Sequence, residues 1–255
     1  MINEQIITSM LEYPLGVSVY DELASTNLTA REIARSDDRC EQVIIARRQT
    51  SGRGRLGRSF FSPNGGLYMS LLLFPKSSAH DALHITTAAA VAVARAIDKI
   101  ASVRCEIKWV NDVYLSGRKI CGILTEAQIS NGAIDFAVLG IGINLTAPDG
   151  GFPSDISSRA GAVFDVLPPD ADNRIAAEVI NEFYRLYSRA DTSFVNEYRD
   201  RSNLIGRQVD VMRIADGEAT PAMVIGIDDD FSLIVEYENK KREALTSGEV
   251  SVREK

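Results

Sequence analysis

Leu67–Phe74 is an apolar run interrupted only by Ser70 and stopped by Pro75. A run of this length predicts a β-strand buried on both faces, opened by the turn at Asn64-Gly65-Gly66. Such a strand belongs to a sizeable core. The 255 residues, 45% of them hydrophobic, are enough for one large domain or one domain plus a small one.

Ile2–Glu12 reads as a short amphipathic helix and Val17–Tyr20 as a strand. Ser25-Thr26-Asn27 is a cluster of N-cap residues opening a helix to about Ser36. Val43–Ala46 is a β-branched strand. Asp81–Ile100 is the longest helix, with Val91, Ala94 and Ile97 on its packed face. Three strands follow, Cys105–Trp109, Cys121–Ile129 and Ile134–Ile143. Thr146–Asp172 is rich in Pro, Gly, Asp and Ser and reads as a long loop, and Asn173–Ala190 as an amphipathic helix. Beyond Leu204 the pattern changes. Val209–Ile214, Ala222–Ile227, Leu233–Glu238, Arg242–Thr246 and Glu249–Val252 are short strands between Asp-Gly, Asp-Asp-Asp and Ser-Gly turns, which suggests a small β-barrel. The expected units are 1–203 and 204–255.

A net charge of -7 argues against nonspecific nucleic-acid binding as the main role, though not against a local basic site. Cys40, Cys105 and Cys121 form no CxxC pair, and with only His80 and His84 there is no Cys/His set for zinc. His80 and His84 are spaced to share a helix face, without a carboxylate pattern beside them. Reduced thiols point to the cytoplasm. Met1–Tyr13 has acidic residues and no long apolar run, so it reads as neither signal peptide nor membrane span.

Between Gln42 and Pro75 there is no acidic residue, while Arg47, Arg48, Arg53, Arg55 and Arg58 supply five positive charges. Glycines at 52, 54 and 57 leave the backbone free to fold around a ligand and to offer N–H groups to an anion. The run therefore reads as a phosphate or carboxylate cradle; standing alone, it is also compatible with a solvated basic loop. Its GxGxxG spelling is a decoy. A dinucleotide fold needs a strand directly before the glycines and a helix opening on them, and Arg47–Ser51 and Arg58-Ser-Phe-Phe-Ser-Pro63 supply neither.

Lys108-Trp-Val-Asn-Asp112 ends a strand. Lys108 suits phosphate, and Asn111 offers both donor and acceptor. Asp112 reads either as a magnesium ligand or as an Asx-turn residue, the turn being favoured on sequence grounds alone. Lys119 follows the Ser116-Gly117 hairpin turn, where a plain exposed lysine is the simpler reading. Gly140 and Gly142 strip one strand face of side chains, which makes either a slot for a ligand, edged by Asn144, or a seat for a packed helix.

Taken together and in order, Ser25-Thr-Asn27, Gln49-Thr-Ser-Gly-Arg-Gly-Arg-Leu-Gly-Arg58, Lys108-Trp-Val-Asn-Asp112, Arg118-Lys-Ile-Cys-Gly-Ile-Leu124 and Gly140-Ile-Gly-Ile-Asn144 resemble the biotin protein ligases. The resemblance is strong over Val17–Leu145, and the β-rich end with Ser247-Gly-Glu-Val-Ser251 looks like that family's SH3-like domain. It implies an α+β fold, a mixed-sheet catalytic domain packed with helices and followed by a small SH3-like barrel. It implies activation of biotin by ATP as biotinyl-5'-AMP, then transfer to a lysine of a biotin carboxyl carrier protein. By motif match, Ser25, Thr26 and Gln49 bind the ureido head of biotin, with Gly52 and Arg53 beside it. Arg53 closes over the carboxylate and adenylate, and Lys119 reaches the carboxylate and α-phosphate. Arg55, Arg58, Lys108, Asn111 and Asp112 handle the phosphates and any Mg2+, Gly140 and Gly142 wall the slot, and Asn144 contacts the nucleotide. Arg53, Lys108 and Lys119 are the residues expected to carry catalysis.

Two positions depart from the pattern. Val110 stands where proline is frequent, and Phe60 where tryptophan is; Phe60 keeps an aromatic face. Some family members carry an N-terminal helix-turn-helix, but only about sixteen residues precede Val17, and Gly206–Lys255 has seven Lys/Arg against eleven Asp/Glu, so no sequence-specific DNA binding is expected. Members also pair as homodimers through exposed sheet edges, an arrangement the sequence does not decide. The alternatives are a lipoate or octanoate ligase or transferase of related fold, disfavoured by the Gly-Arg-Gly-Arg-x-Gly-Arg and Lys-Trp-x-Asn-Asp runs, and a catalytically inactive biotin-binding module.

Overall fold

The computed structural model of the chain describes residues 1–36, 39–75, 82–130, 132–187, 193–213, 218–246 and 250–254. Seven strands form the main sheet: β1 (Gly16–Leu23), β2 (Gln42–Gln49), β3 (Gly66–Leu73), β4 (Glu106–Lys108), β5 (Asp112–Leu115), β6 (Arg118–Ser130) and β7 (Ala133–Asn144). Their spatial order is β1-β2-β3-β7-β6-β5-β4. β1 and β2 run parallel and the other neighbours antiparallel, so the sheet is mixed.

The strand predicted to be buried on both faces is the centre of this sheet. Every residue of β3 is buried, because each face meets its own layer. Leu67, Met69, Leu71 and Leu73 enter the large core under α3 (Ala82–Ala101). Leu72 points the other way, with Ile44, Phe136 and Val138, against Ala30 and Ala34 of α2 (Thr26–Ala34). Ser70 shares that second face, and its polarity has a use described below.

α3 is alanine-rich and apolar nearly all round, the signature of a helix with no solvent face. It lies between the sheet and α4 (Ala171–Tyr187), and α1 (Glu4–Met10) packs outside α4. Two short elements escaped the sequence reading: β5, one arm of a tight hairpin, and α5 (Val195–Asp200). Each spans about one or two turns of pattern, too little periodicity to register. The Thr146–Asp172 segment lacks regular elements until α4 starts, as expected. It is nevertheless tied down, with Thr146 bridged to Phe164 and Ala160 to Lys119.

The C-terminal unit is a five-stranded antiparallel sheet of β8 (Gln208–Arg213), β9 (Ala219–Ile227), β10 (Leu233–Tyr237), β11 (Arg242–Leu245) and β12 (Val250–Glu254), in the order β11-β10-β9-β8-β12. The Asp-Asp-Asp turn between β9 and β10 is held by Asp228, whose Oδ1 accepts from Asp230 N at 3.0 Å and Ser232 N at 2.8 Å. This turn drives Phe231 into an aromatic nest of Phe194, Tyr198 and His84. The Phe231 carbonyl accepts from Trp109 Nε1 at 2.9 Å, fastening the unit to the Lys108–Asp112 corner. His84 thus serves packing. His80, Asp81, residues 188–190, Ile214, the Asp216-Gly217 turn and Ser247–Glu249 lie outside the described residues. Among the described residues, no helix is long and apolar enough to cross a membrane.

Candidate active site

α2 is only nine residues long, about 13 Å of helix, and covers β2, β3 and part of β7. Beyond it the same sheet face runs over glycines. Gly140 and Gly142 alternate on β7, and Gly122 of β6 pairs directly opposite Gly142. Each is required by a close approach. A Cβ at 140 would sit 2.2 Å from Asn27 Oδ1, one at 142 would sit 2.5 Å from Phe60 Cε1, and one at 122 would sit 2.9 Å from Phe60 Cε2. Helix packing thus explains Gly140, whereas Gly122 and Gly142 make a flat seat for the Phe60 ring. Gly122 was not singled out from the sequence, although it shares a strand face with Leu124 two positions on.

At the inner end, Thr26 donates to Gln49 Oε1 from its backbone N at 2.9 Å, and its hydroxyl lies 3.2 Å from the same oxygen. Gln49 Nε2 donates to Ser62 Oγ at 3.0 Å, and Ser62 donates on to the Phe60 carbonyl at 2.9 Å. Ser70 Oγ lies 2.6 Å from Asn27 Oδ1 and 2.7 Å from Thr26 Oγ1. Ser70 has one proton and the Asn27 oxygen only accepts, so Ser70 donates to Asn27. Ser25 occupies the N-cap of α2 but its hydroxyl makes no cap hydrogen bond, leaving a nearly buried donor and acceptor beside the cavity.

The Arg/Gly run folds as a small hairpin with a single 3-10 turn, Arg55–Gly57, at its tip, and no α-helix opens on its glycines, as the reading of GxGxxG as a decoy expects. Phe60 N donates to Gly52 O at 2.9 Å, Gly54 N to Arg58 O at 2.7 Å, and Arg53 bridges Ser59. Gly52 is obligatory because a Cβ there would lie 2.3 Å from the Phe60 carbonyl. Arg55 is turned down under the hairpin, with Nη1 donating to Asn111 Oδ1 at 3.0 Å. Burial lowers its pKa, partly offset by Asp112. Arg53 reaches the opposite way, with Nη2 3.4 Å from Glu126 Oε1. Glu126 also accepts from Asn27 Nδ2 and Arg31 Nη2, both at 2.9 Å. The sequence reading missed Glu126; its even spacing from Gly122 and Leu124 along one strand was the available signal.

Lys119 Nζ lies 2.7 Å from Asp112 Oδ1 and 5.9 Å from the centre of the Phe60 ring. Lys108 Nζ sits over Tyr114 at 5.7 Å. Asn111 Nδ2 donates to Ile123 O at 2.7 Å and Asn144 Nδ2 to Gly161 O at 2.9 Å, so both amides brace backbone here.

Two cavities adjoin along Gln49 and Phe60. Ser25, Thr26, Gly140 and Gly142 line the inner one, with Arg53, Arg55 and Asn111 over it. Gly52 and Asn144 line the outer one. Arg58, Lys108, Asp112 and Lys119 face both. The structure thus gathers every site residue expected from the sequence. Asp112, the expected magnesium contact, is engaged by Lys119, and among the described residues no group of three His, Cys, Asp or Glu is assembled as a metal set.

Fold and cleft define a class: an α+β domain in which a glycine-floored pocket ending in hydroxyls and amides shares its cations with an adjoining cavity, with a small antiparallel unit fastened to it. Residues 22–144 match the Biotin/lipoate A/B protein ligase family, and residues 204–253 match the Biotin protein ligase C terminal domain. A biotin–[acetyl-CoA-carboxylase] ligase of Mycobacterium tuberculosis is 31% identical over 73% of this chain and 70% of that protein. The chain belongs to the biotin protein ligase family. A bifunctional ligase/repressor BirA of Bacillus subtilis is 37% identical over 55% of this chain and 44% of that protein, so the match spans less than half of that relative. In fold, the chain is similar to a biotin protein ligase from Aquifex aeolicus in complex with biotin and ATP, with a TM-score of 0.77 and 23% identity over 95% of this chain and 100% of that one.

Proposed function

We propose that the protein joins biotin to ATP as biotinyl-5'-AMP and passes the biotinyl group to a lysine of a biotin carboxyl carrier protein. The observation that carries this reading is the adjacency of the two cavities, the inner one ending in hydroxyls and amides suited to a neutral polar head and both sharing Arg58, Lys108 and Lys119 where they meet. In the inner pocket, Thr26, Gln49 and Ser25 offer donors and acceptors suited to a cyclic urea, with Gly52 beside them and Gly140 and Gly142 beneath.

The first step brings two anions together. A biotin carboxylate oxygen bonds to the α-phosphorus, the α–β anhydride breaks and pyrophosphate leaves. Arg53, Lys108 and Lys119 offset the repulsion and stabilise charge on the equatorial oxygens, so catalysis is positioning and electrostatics. Arg58 adds charge at the nucleotide, while Arg55 and Asn111 hold the hairpin against β6. Asn144 stands at the nucleotide edge of the outer cavity. Asp112 is already charge-paired, so Mg2+ would arrive with the triphosphate rather than on a protein metal set. In the second step the neutral carrier amine bonds to the acyl carbon, AMP leaves, and the amine loses a proton. Exclusion of water by the hairpin protects the mixed anhydride between steps.

Incubation with ATP, biotin and a carrier domain should raise the carrier's mass by one biotinyl group. Transfer of lipoate or octanoate instead would replace this reading with the related ligase activity. Biotin binding without ATP–pyrophosphate exchange would leave only a binding module.

A further inference from the structure

The segment between β7 and α4 has no helix or strand of its own. Its middle is zipped to the start of β6: Lys119 N donates to Arg159 O at 2.8 Å, Gly161 N donates to Lys119 O at 2.9 Å, and Ala160 bridges Lys119. Gly161 is compelled by this contact, since a Cβ there would lie 2.7 Å from Arg118 Cβ. Asn144 secures the same stretch through the Gly161 carbonyl. Arg159 is therefore set beside Lys119 on a fixed backbone.

Arg159 lines the outer cavity, where Arg48, Arg58, Lys108 and Lys119 also open and the carboxylates are Asp112 and Asp155. Two of these cations are satisfied, Arg48 by Glu22 at 2.8 Å and Lys119 by Asp112 at 2.7 Å. Arg58, Lys108 and Arg159 have no ion pair among the described residues. Arg58 and Arg159 are exposed and Lys108 is half-buried, so three cations from three separate segments, none with an ion pair among the described residues, give one cavity a positive field in a chain of net charge -7.

We propose that Arg159 is a further nucleotide-binding residue, contacting the β- and γ-phosphates of ATP and the pyrophosphate it releases. This rests on the ligase reading and adds a residue to it. A guanidinium suits the task because it can grip two phosphate oxygens at once. Arg159 acts on nucleotide affinity and pyrophosphate release; the inner pocket does not involve it.

The test compares wild type, Arg159→Ala and Arg159→Lys by calorimetry with ATP, with AMP, with inorganic pyrophosphate and with biotin. Arg159→Ala should weaken ATP and pyrophosphate about tenfold, with Lys recovering part of the loss. AMP and biotin affinity and the melting temperature should stay at wild-type values. Equal losses for AMP and ATP would place Arg159 elsewhere on the nucleotide. Unchanged ATP and pyrophosphate binding, or a change confined to KM for the carrier domain, would overturn the proposal. A wild-type chain that binds biotin yet neither ATP nor pyrophosphate would overturn the ligase reading, and the role of Arg159 with it.

Discussion

The inner and outer cavities share Phe60 as a wall and differ in how their polar groups are balanced. At the end of the inner one, Thr26 and Gln49 belong to a network of hydroxyls and amides that runs from Ser62, on the outer cavity's wall, to Ser70 and Asn27. Its groups are fixed before a ligand arrives, so recognition there is a matter of geometry. Where the two cavities meet, and in the outer one beyond, Arg58, Lys108 and Arg159 have no ion pair among the described residues, so recognition there is a matter of charge. The contrast teaches how one cleft can take a neutral head at its inner end and negative charge where its two cavities meet, with Arg58, Lys108 and Lys119 common to both.

The sharpest way to break the arrangement is at the shared wall. Gly142→Val must displace the Phe60 ring, since the first added carbon already lies 2.5 Å from it. Carrier biotinylation should fall about a hundredfold or more, the scale of misplaced reacting groups. The cost in stability should be about 1–3 kcal/mol by thermal melting, as for an overpacked site. Retention of full activity would show that the ring is not part of the site.

Gln49→Ala attacks only the inner network. It strips partners from Thr26 N and Ser62, and biotin affinity should drop about ten- to a hundredfold, with ATP affinity held. Equal losses for both ligands would mean that the cavities are not separate in function. Arg53→Ala acts over the inner cavity, where the guanidinium pairs with Glu126 in the free protein. It should increase release of free adenylate about tenfold and slow transfer while the melting temperature holds. Unchanged transfer would remove Arg53 from the mechanism.

Salt gives the smallest and most selective effect. Raising ionic strength from about 0.05 to 0.5 M should weaken ATP several-fold and leave biotin within about twofold, because ATP carries several negative charges and biotin a single carboxylate, its ureido head being held by neutral hydrogen bonds. Parallel salt dependence of the two ligands would erase the distinction.

Much of this was readable in one dimension. The Leu67–Phe74 run announced the central strand, and its double burial followed from having apolar residues at both parities. The glycines at 52, 140 and 142 marked close approaches that the structure contains. Other features were not readable. Glu126 looks like an ordinary strand carboxylate until Asn27, Arg31 and Arg53 converge on it across about 99, 95 and 73 residues of chain, separations over which no local pattern extends. Ser62 and Ser70 look like incidental polar residues until α2 delivers Thr26, and β2 delivers Gln49, to the same sheet face.

The sequence by itself determined the sheet-forming runs, the alanine-rich middle helix, the late change to short strands and the concentration of arginine between Gln42 and Pro75. These are local properties of spacing, apolarity and charge. Only tertiary structure decided what the Arg/Gly run would hold. Its arginines divide by contact: Arg55 goes down to Asn111, Arg53 goes across to Glu126, and Arg58 faces the outer cavity with Arg159. Identical side chains take different roles because their partners come from distant strands, and a partner's position is fixed by packing of the whole sheet.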